Sequence, residues 1–390
     1  MKIHFVTGAT GFVGRHLVKA LLGSGEHVWV VVRDSRDMTA KEKVMGIFGD
    51  HLHGKSARLK VLKGDILKKD LGLSHSDIST LKKHSVSVWH LAANLSFLTA
   101  DKTSVQKTNF NGTENTLSIA QRVAQNFFYV STAYVCGNAT SFTESELNKS
   151  QDFHNQYEIS KFQAEKYIRK NCSIPYLIFR PSIIIGDAHK GKSEGCSFGY
   201  YRYMFVFHFL KTQIVKTLLK KSILGLFLRK TGTKYDTKKG TLTVPALFMP
   251  YPKKATIDLV TVDYVVSSMI KLSHSNTRRI AIHLTQKSLP DFSFLLKSAL
   301  YDLGYRDIKF IPVPSWLFRA ILRLLYFVGV PVRKYIRSVM WYTPYITKHC
   351  YFNHNLAIHS MLEKPPRITR TLIKNINSHA RKDLLSDSKL

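Results

Sequence analysis

Residues 2–14 constrain this chain more than any other stretch. A short apolar run, Ile3 to Val6, enters a turn in which Gly8, Gly11 and Gly14 have the spacing G-x-x-G-x-x-G. An apolar-periodic helix follows, with Leu17, Val18, Leu21 and Leu22 at core spacing. In such a strand–turn–helix unit the first glycine permits a tight turn, and the second lets backbone approach a pyrophosphate. The third lets the helix pack closely on the strand, so that its N-terminus faces the phosphates. A glycine triplet alone is an ordinary structural turn; flanked by a strand and a helix, it points to a dinucleotide. Thr7, Gly8, Thr10, Gly11, Phe12, Val13 and Gly14 are the residues this unit would place at the cofactor.

The alternation continues through His27–Val32, Leu59–Leu62, Val86–His90, Phe127–Ser131 and Tyr176–Phe179, with Ile280–Leu284 as a late strand. Strands that alternate with helices predict an α/β fold, a Rossmann-type doubly wound sheet that is mainly parallel with right-handed crossovers. Ligands of such sheets gather outside the carboxyl ends of the strands, so Gly8, Arg33, Asp65, Ala92 and Thr132 are expected along one edge. The second strand ends in Arg33-Asp34-Ser35-Arg36. An acid there binds a ribose 2′-hydroxyl, whereas Arg accommodates a 2′-phosphate. Arg33 comes first and Arg36 is near, which favours NADP(H); Asp34 keeps NAD(H) open. Asp65, followed by Ile66, could reach the adenine amino group or cap the next turn. Ala92 and Ala93 let a cofactor lie against backbone, or allow close helix packing. Asn109 either braces the active-site backbone or caps a helix.

Tyr157-Glu-Ile-Ser-Lys161 reads as helix, which sets Tyr157 and Lys161 four apart on one face. A phenol has an ordinary pKa of about 10, and an ammonium beside it favours the phenolate. That pairing suits general acid–base catalysis near neutral pH. Thr132, at the end of the fifth strand, offers a hydroxyl to the same substrate oxygen. Taken alone, Tyr-x-x-x-Lys is common on surface helices; here it follows four other segments of one pattern.

Those segments are Thr7-Gly-Ala-Thr-Gly-Phe-Val-Gly14, Gly64-Asp-Ile66, His90-Leu-Ala-Ala93, Ser131-Thr-Ala-Tyr-Val135 and Tyr157-Glu-Ile-Ser-Lys161. In this order, with Thr132 placed 25 positions before Tyr157, they resemble the extended short-chain dehydrogenase/reductase superfamily over roughly residues 1–190. Val130–Val135, Arg180-Pro-Ser-Ile-Ile-Ile-Gly-Asp187 and Ile257–Val265 are most similar to the branch of fatty acyl-CoA and thioester reductases, the male sterility type. Thr261 stands where that branch usually has Pro, a departure in the last motif. The resemblance implies that Tyr157 and Lys161 are the catalytic pair and Thr132 the third member. It also implies that Pro181, Ser182 and Ile183 lie beside the nicotinamide. Hydride would pass from NADPH to a carbonyl carbon whose oxygen Thr132 and Tyr157 hold, with Lys161 also contacting the nicotinamide ribose. A thioester would yield an aldehyde and, after a second hydride, an alcohol. The alternatives are an NAD-dependent sugar-nucleotide epimerase or dehydratase, and a non-catalytic NADP-binding membrane-surface protein.

The expected organisation is a cofactor domain over 1–186, to which 256–284 returns. A smaller, mostly helical substrate domain follows over 187–255 and 285–365, then a basic tail over 366–390. The four cysteines, Cys136, Cys172, Cys196 and Cys350, lack metal-type spacing and suggest a reduced, cytoplasmic protein without a metal. Met1 leads almost directly into a strand, leaving no room for a signal peptide, and no apolar run reaches the roughly 20 residues of a spanning helix. The net charge of +32 attracts anions of any kind. Over 199–239 an apolar set (Tyr200, Tyr201, Tyr203, Met204, Phe205, Phe207, Phe209, Leu210) is interleaved with Arg202, Lys211, Lys216, Lys220, Lys221, Arg229, Lys230, Lys234, Lys238 and Lys239. Trp316–Phe327 with Arg333, Lys334 and Arg337 repeats the theme. Such segments either lie on an anionic membrane surface or pack their apolar faces in the core. No nucleic-acid-binding motif accompanies the charge, so no nucleic-acid partner is expected; a homodimer stays open.

Overall fold

The computed structural model describes residues 1–390 except 53–55, 194–195, 197, 221, 251–254, 328–340, 348–349 and 387–390. Lys221, Arg333, Lys334 and Arg337 therefore lie outside the described residues. The chain divides into two compact units. The first comprises 1–182, 262–285 and 350–365; the second comprises 183–261, 286–349 and 366–390.

Seven strands build the main sheet of the first unit: β1 (Lys2–Thr7), β2 (His27–Val32), β3 (Leu59–Lys63), β4 (Ser85–His90), β5 (Asn126–Val130), β6 (Tyr176–Pro181) and β7 (Ile280–Leu284). All pair in parallel, in the order β7-β6-β5-β4-β1-β2-β3. Helices α1 (Phe12–Gly23), α2 (Ala40–Phe48), α3 (His75–Lys82), α4 (Gly112–Val123) and α5 (Gln156–Asn171) connect successive strands. Apart from the edge strand β3, where Lys60 and Lys63 are exposed, the strands are buried on both faces, as a sheet covered on both sides requires. On one face Ile3, Phe5, Val86, Val88, Phe127 and Ile178 meet Ile78 and Leu81 of α3, Leu117 and Ala120 of α4, and Ala164 and Ile168 of α5. Each fully buried side chain of this kind contributes roughly 1.5–3 kcal/mol. The opposite face stacks Trp89 with Phe128 and Phe179, and Trp89 Nε1 donates to His4 Nδ1 at 2.9 Å. The helix Val262–Ser273 packs on α1.

The second unit holds the helices Tyr200–Leu219, Ile223–Lys230, Phe292–Asp302, Ser315–Phe327 and Arg370–Ser386, with short two- and three-stranded sheets. Tyr200, Tyr201, Tyr203, Met204, Val206 and Phe207 are buried, so the first part of the aromatic-basic segment is core. The sequence reading makes 366–390 a tail. Instead, Leu372, Ile373, Ile376, Asn377 and Ala380 of Arg370–Ser386 are buried. Asn377 is fully buried between Tyr200, whose hydroxyl donates to it at 2.8 Å, and Asp302, which accepts from it at 2.6 Å. The surrounding Lys and Arg hide this helical spacing in a composition-based reading. Two boundaries also differ. Residues 350–365 belong to the first unit, where Tyr351–Asn353 pairs with Ser141–Thr143. Leu259–Thr261 pairs with Ile183–Ile185 in the second. Both are long-range pairings that no local pattern announces. Among the described residues no helix is long and apolar enough to cross a membrane.

Candidate active site

Because the seven strands β1 to β7 are all parallel, the ends of β1 to β6 open on one edge, and this edge carries the residues singled out above. At the end of β1, Gly8 has φ +76°, and a Cβ there would stand 2.5 Å from Ala92 N. At Gly14 a Cβ would come within 2.0 Å of Gly8 O, so α1 approaches the turn closely only with glycine. Gly11 is exposed and caps α1 without a side-chain hydrogen bond, and no acid occupies the first turn. The leading amides of α1 and its positive dipole end thus remain available, which fits a pyrophosphate. Phe12, in this turn, packs its ring edge-on against His16, Val13 is half-buried beside it, and the Thr10 carbonyl accepts from Arg15.

The Thr7 side chain is fully buried and its hydroxyl donates to His90 Nδ1 at 2.7 Å. His90 Nε2 lies 3.0 Å from Thr113 Oγ1, which itself donates to the Asn109 carbonyl at 2.6 Å. His90 therefore donates from Nε2 and accepts at Nδ1. Burial, with a smaller contribution from the Lys161 charge, pushes its pKa down to about 3 and keeps it neutral.

At the β2 end, Arg33 and Arg36 are exposed. The Asp34 carboxylate takes Lys63 Nζ at 2.7 Å and Ala40 N at 2.7 Å, and these partners hold its pKa below the usual carboxylate range. Asp65 accepts from Leu67 N at 3.0 Å, the capping alternative. Ile66 packs under Gly112, and Ala92 and Ala93 are half-buried.

Asn109 is fully buried and braces the backbone instead of capping a helix. Its amide accepts from Asn94 N at 2.7 Å and donates to Asn94 O at 3.0 Å and to Ser160 Oγ at 2.9 Å. Ser160 Oγ in turn donates to Tyr157 O at 2.8 Å. The loop after β4 is thereby tied to the first turn of α5. Asn155 caps that turn, accepting from Glu158 N. Lys161, 2% exposed, donates to Val130 O at 2.8 Å at the end of β5 and lies over the Tyr129 ring at 4.6 Å. Desolvation lowers its pKa to about 7, partly opposed by the charge of Glu165. Thr132, two residues beyond Val130, is buried, and its Oγ1 accepts from Tyr134 N at 3.3 Å. Pro181 ends β6, and just beyond it Ser182 N donates to Leu284 O at 3.2 Å. Ile183 opens the short strand of the second unit.

Sequence reasoning missed Phe97. Its ring centroid lies 5.8 Å from that of Tyr157, on a loop that also exposes Leu95 and Leu98. Ser96 pins this loop through Asp101 at 2.5 Å. An apolar triplet in an irregular segment has no periodicity to reveal it. Among the described residues no cluster of His, Cys, Asp or Glu could hold a metal.

A turn built for pyrophosphate and a buried lysine beneath a tyrosine, on one edge of a parallel sheet, define an NAD(P)-binding oxidoreductase fold. Residues 6–269 match the family described as male sterility protein, an NAD-binding domain, and the chain belongs to that family. CG8306 of Drosophila melanogaster, a candidate fatty acyl-CoA reductase, is 24% identical over 83% of this chain and 68% of its own length. The nonribosomal peptide synthetase asaC of Aspergillus flavus is 27% identical over 49% of this chain and 20% of its own length. The chain thus spans only a fraction of several relatives. Among solved structures, the terminal R domain of the myxalamid PKS-NRPS pathway has a TM-score of 0.73 at 20% identity, covering 100% of this chain and 92% of that one. The UDP-glucuronic acid 4-epimerase of Bacillus cereus shares the fold at a TM-score of 0.61 and 17% identity, over 98% of this chain and 99% of that one.

Proposed function

We infer that this chain is an NADP(H)-dependent reductase acting on the carbonyl of a lipid-like substrate, a fatty acyl thioester (acyl-CoA or acyl-carrier) or its derived aldehyde or ketone. The observation that carries this reading is the buried Lys161, held by the β5 carbonyl of Val130 one turn below Tyr157. The nicotinamide, when bound, supplies hydride. Tyr157 donates a proton to the carbonyl oxygen, and Lys161 in its charged form stabilises the phenolate left behind. Thr132 Oγ1 already accepts from Tyr134 N, which leaves its hydroxyl proton to donate to the same oxygen. Asn109 holds α5 and the β4 loop in register for this transfer.

Two features narrow the reading. Asp34 is engaged by Lys63 and Ala40 N, while Arg33 and Arg36 stay exposed, an arrangement suited to a 2′-phosphate. Phe97 packs on Tyr157, and Leu95 and Leu98 are exposed on the same loop, apolar surface that suits an acyl chain. An anionic membrane surface is the proposed partner of the helix Ile223–Lys230. It exposes Ile223, Leu226 and Phe227 beside exposed Lys220, Arg229 and Lys230.

NADPH oxidation against acyl-CoA, aldehyde, ketone and sugar-nucleotide substrates tests the function. Turnover is expected with thioester or aldehyde, and Tyr157→Phe should lower kcat roughly 10²- to 10⁴-fold with NADPH affinity kept. Unchanged kcat in that variant, or oxidation with no carbonyl at all, overturns the assignment.

A further inference from the structure

We propose that Cys136 and Cys350 form a reversible disulfide site, closed by a hydroperoxide and reopened by thiol reductants. Both are free thiols in the structure, and nothing in the reductase reading uses them. Cys136 is buried at the end of the turn Ala133–Cys136, which opens at Thr132. The chain then bends back, with Ala139 N donating to Cys136 O at 3.0 Å, into the strand Ser141–Thr143. Cys350 directly precedes Tyr351, which pairs with Ser141 and donates from its backbone N to Thr140 O at 2.9 Å. This pairing lays Cys350 beside the turn that carries Cys136. Their side chains share one small cluster with Val135, Phe142, Phe162 and Phe352. The Cys136 thiol donates to Gly137 O at 3.7 Å, and Cys350 packs close enough to perturb it.

The two sulfurs have unequal roles. The adjoining Cys350 thiol and burial push the Cys136 pKa well up, so Cys136 stays protonated. Cys350 is partly exposed and meets the oxidant first. Its sulfur attacks the terminal peroxide oxygen and the O–O bond breaks, giving a sulfenic acid and an alcohol, or water from hydrogen peroxide. The Cys136 sulfur then attacks that of Cys350. The S–S bond forms, the S–O bond breaks, and the departing hydroxide takes the Cys136 proton and leaves as water. Two thiols lose two electrons and two protons, and the hydroperoxide takes them up.

The bond ties the segment Cys350–Pro365 to the turn after Thr132. Without it, Glu144 holds this segment, accepting from Asn355 N at 2.8 Å and His359 Nε2 at 2.7 Å. A bridge between positions 136 and 350 closes a long loop and so restricts the unfolded chain strongly.

The reduced 390-residue chain is treated with hydrogen peroxide, denatured and titrated for free thiols, and its peptides are mapped without reduction. Free thiols should fall from the four in the sequence to two. A Cys136–Cys350 peptide should appear, Tm should rise, and dithiothreitol should reverse all three. Cys350→Ser should keep its three remaining thiols under peroxide, while Cys172→Ser should still lose two. Retention of four thiols, a sulfinic acid at Cys350 without a cross-link, or pairing with Cys172 or Cys196 would overturn the proposal. Thiol counts in the wild-type chain need no variant to fold, and they read out independently of any reductase activity.

Discussion

Lys161 is a cation in a place that disfavours charge. It is 2% exposed, its hydrogen bond goes to a neutral carbonyl, and the nearby Glu165 is engaged by Arg180. Its pKa of about 7 lies well below the roughly 10.4 of an unfolded lysine. Below about pH 7 both states bind the proton, and the folded state carries the full cost of burying it. Between about 7 and 10.4 the unfolded chain binds more protons, so stability rises with pH. Lys161→Met removes this titration while keeping an apolar stem. In urea unfolding, the wild type should gain on the variant by roughly 4 kcal/mol between about pH 6 and pH 10. A gap that stays constant over that range would contradict the account of the buried ammonium. The spacing of Tyr157 and Lys161 was legible because four residues make one helical turn. The burial of Lys161 against Val130 was not, since it depends on where α5 crosses β5.

Between elements, one ion pair holds the site's supports together. Glu165, one turn beyond Lys161 on α5, and Arg180 on β6 are both fully buried, with Nη2 and Oε2 2.8 Å apart. The same guanidinium donates to the carbonyls of Thr143 at 3.2 Å and Glu146 at 2.8 Å, and lies 3.3 Å from His283 Nε2 on β7. Burial and the Arg180 charge keep His283 neutral by pushing its pKa well down. Removing one partner leaves the other buried and uncompensated, which typically costs about 3–5 kcal/mol. Glu165→Ala should therefore lose about that much in urea unfolding, and adding Arg180→Met should restore part of it. A loss under about 1 kcal/mol for the single variant would show that the pair does not organise these elements. Arg180 was legible as part of a motif, but Glu165 reads in sequence as an ordinary helix-surface acid.

For the molecule as a whole, the charge of +32 sets the long-range field. Part of the basic set is committed internally: Lys211 Nζ donates to Gly240 O at 2.7 Å and Leu303 O at 2.8 Å. What faces water around Ile223–Lys230 can still meet an anionic surface, at about 1 kcal/mol per basic residue near it. Binding to phosphatidylserine vesicles should be substantial at low salt and weaken as salt rises. Ile223→Asp should reduce it several-fold, and neutral vesicles should bind little. Equal affinity for neutral and anionic vesicles would remove the membrane assignment. The sequence by itself determined the seven strands, the glycine turn and the spacing of the tyrosine and lysine, because each is written in neighbours within a few residues. Only the tertiary structure decided that Asp34 is engaged by Lys63, that Phe97 meets Tyr157, that Cys350 meets Cys136 and that Leu372, Ile373, Ile376, Asn377 and Ala380 form core. Those contacts join distant segments whose meeting depends on sheet order and helix packing, which local periodicity does not encode.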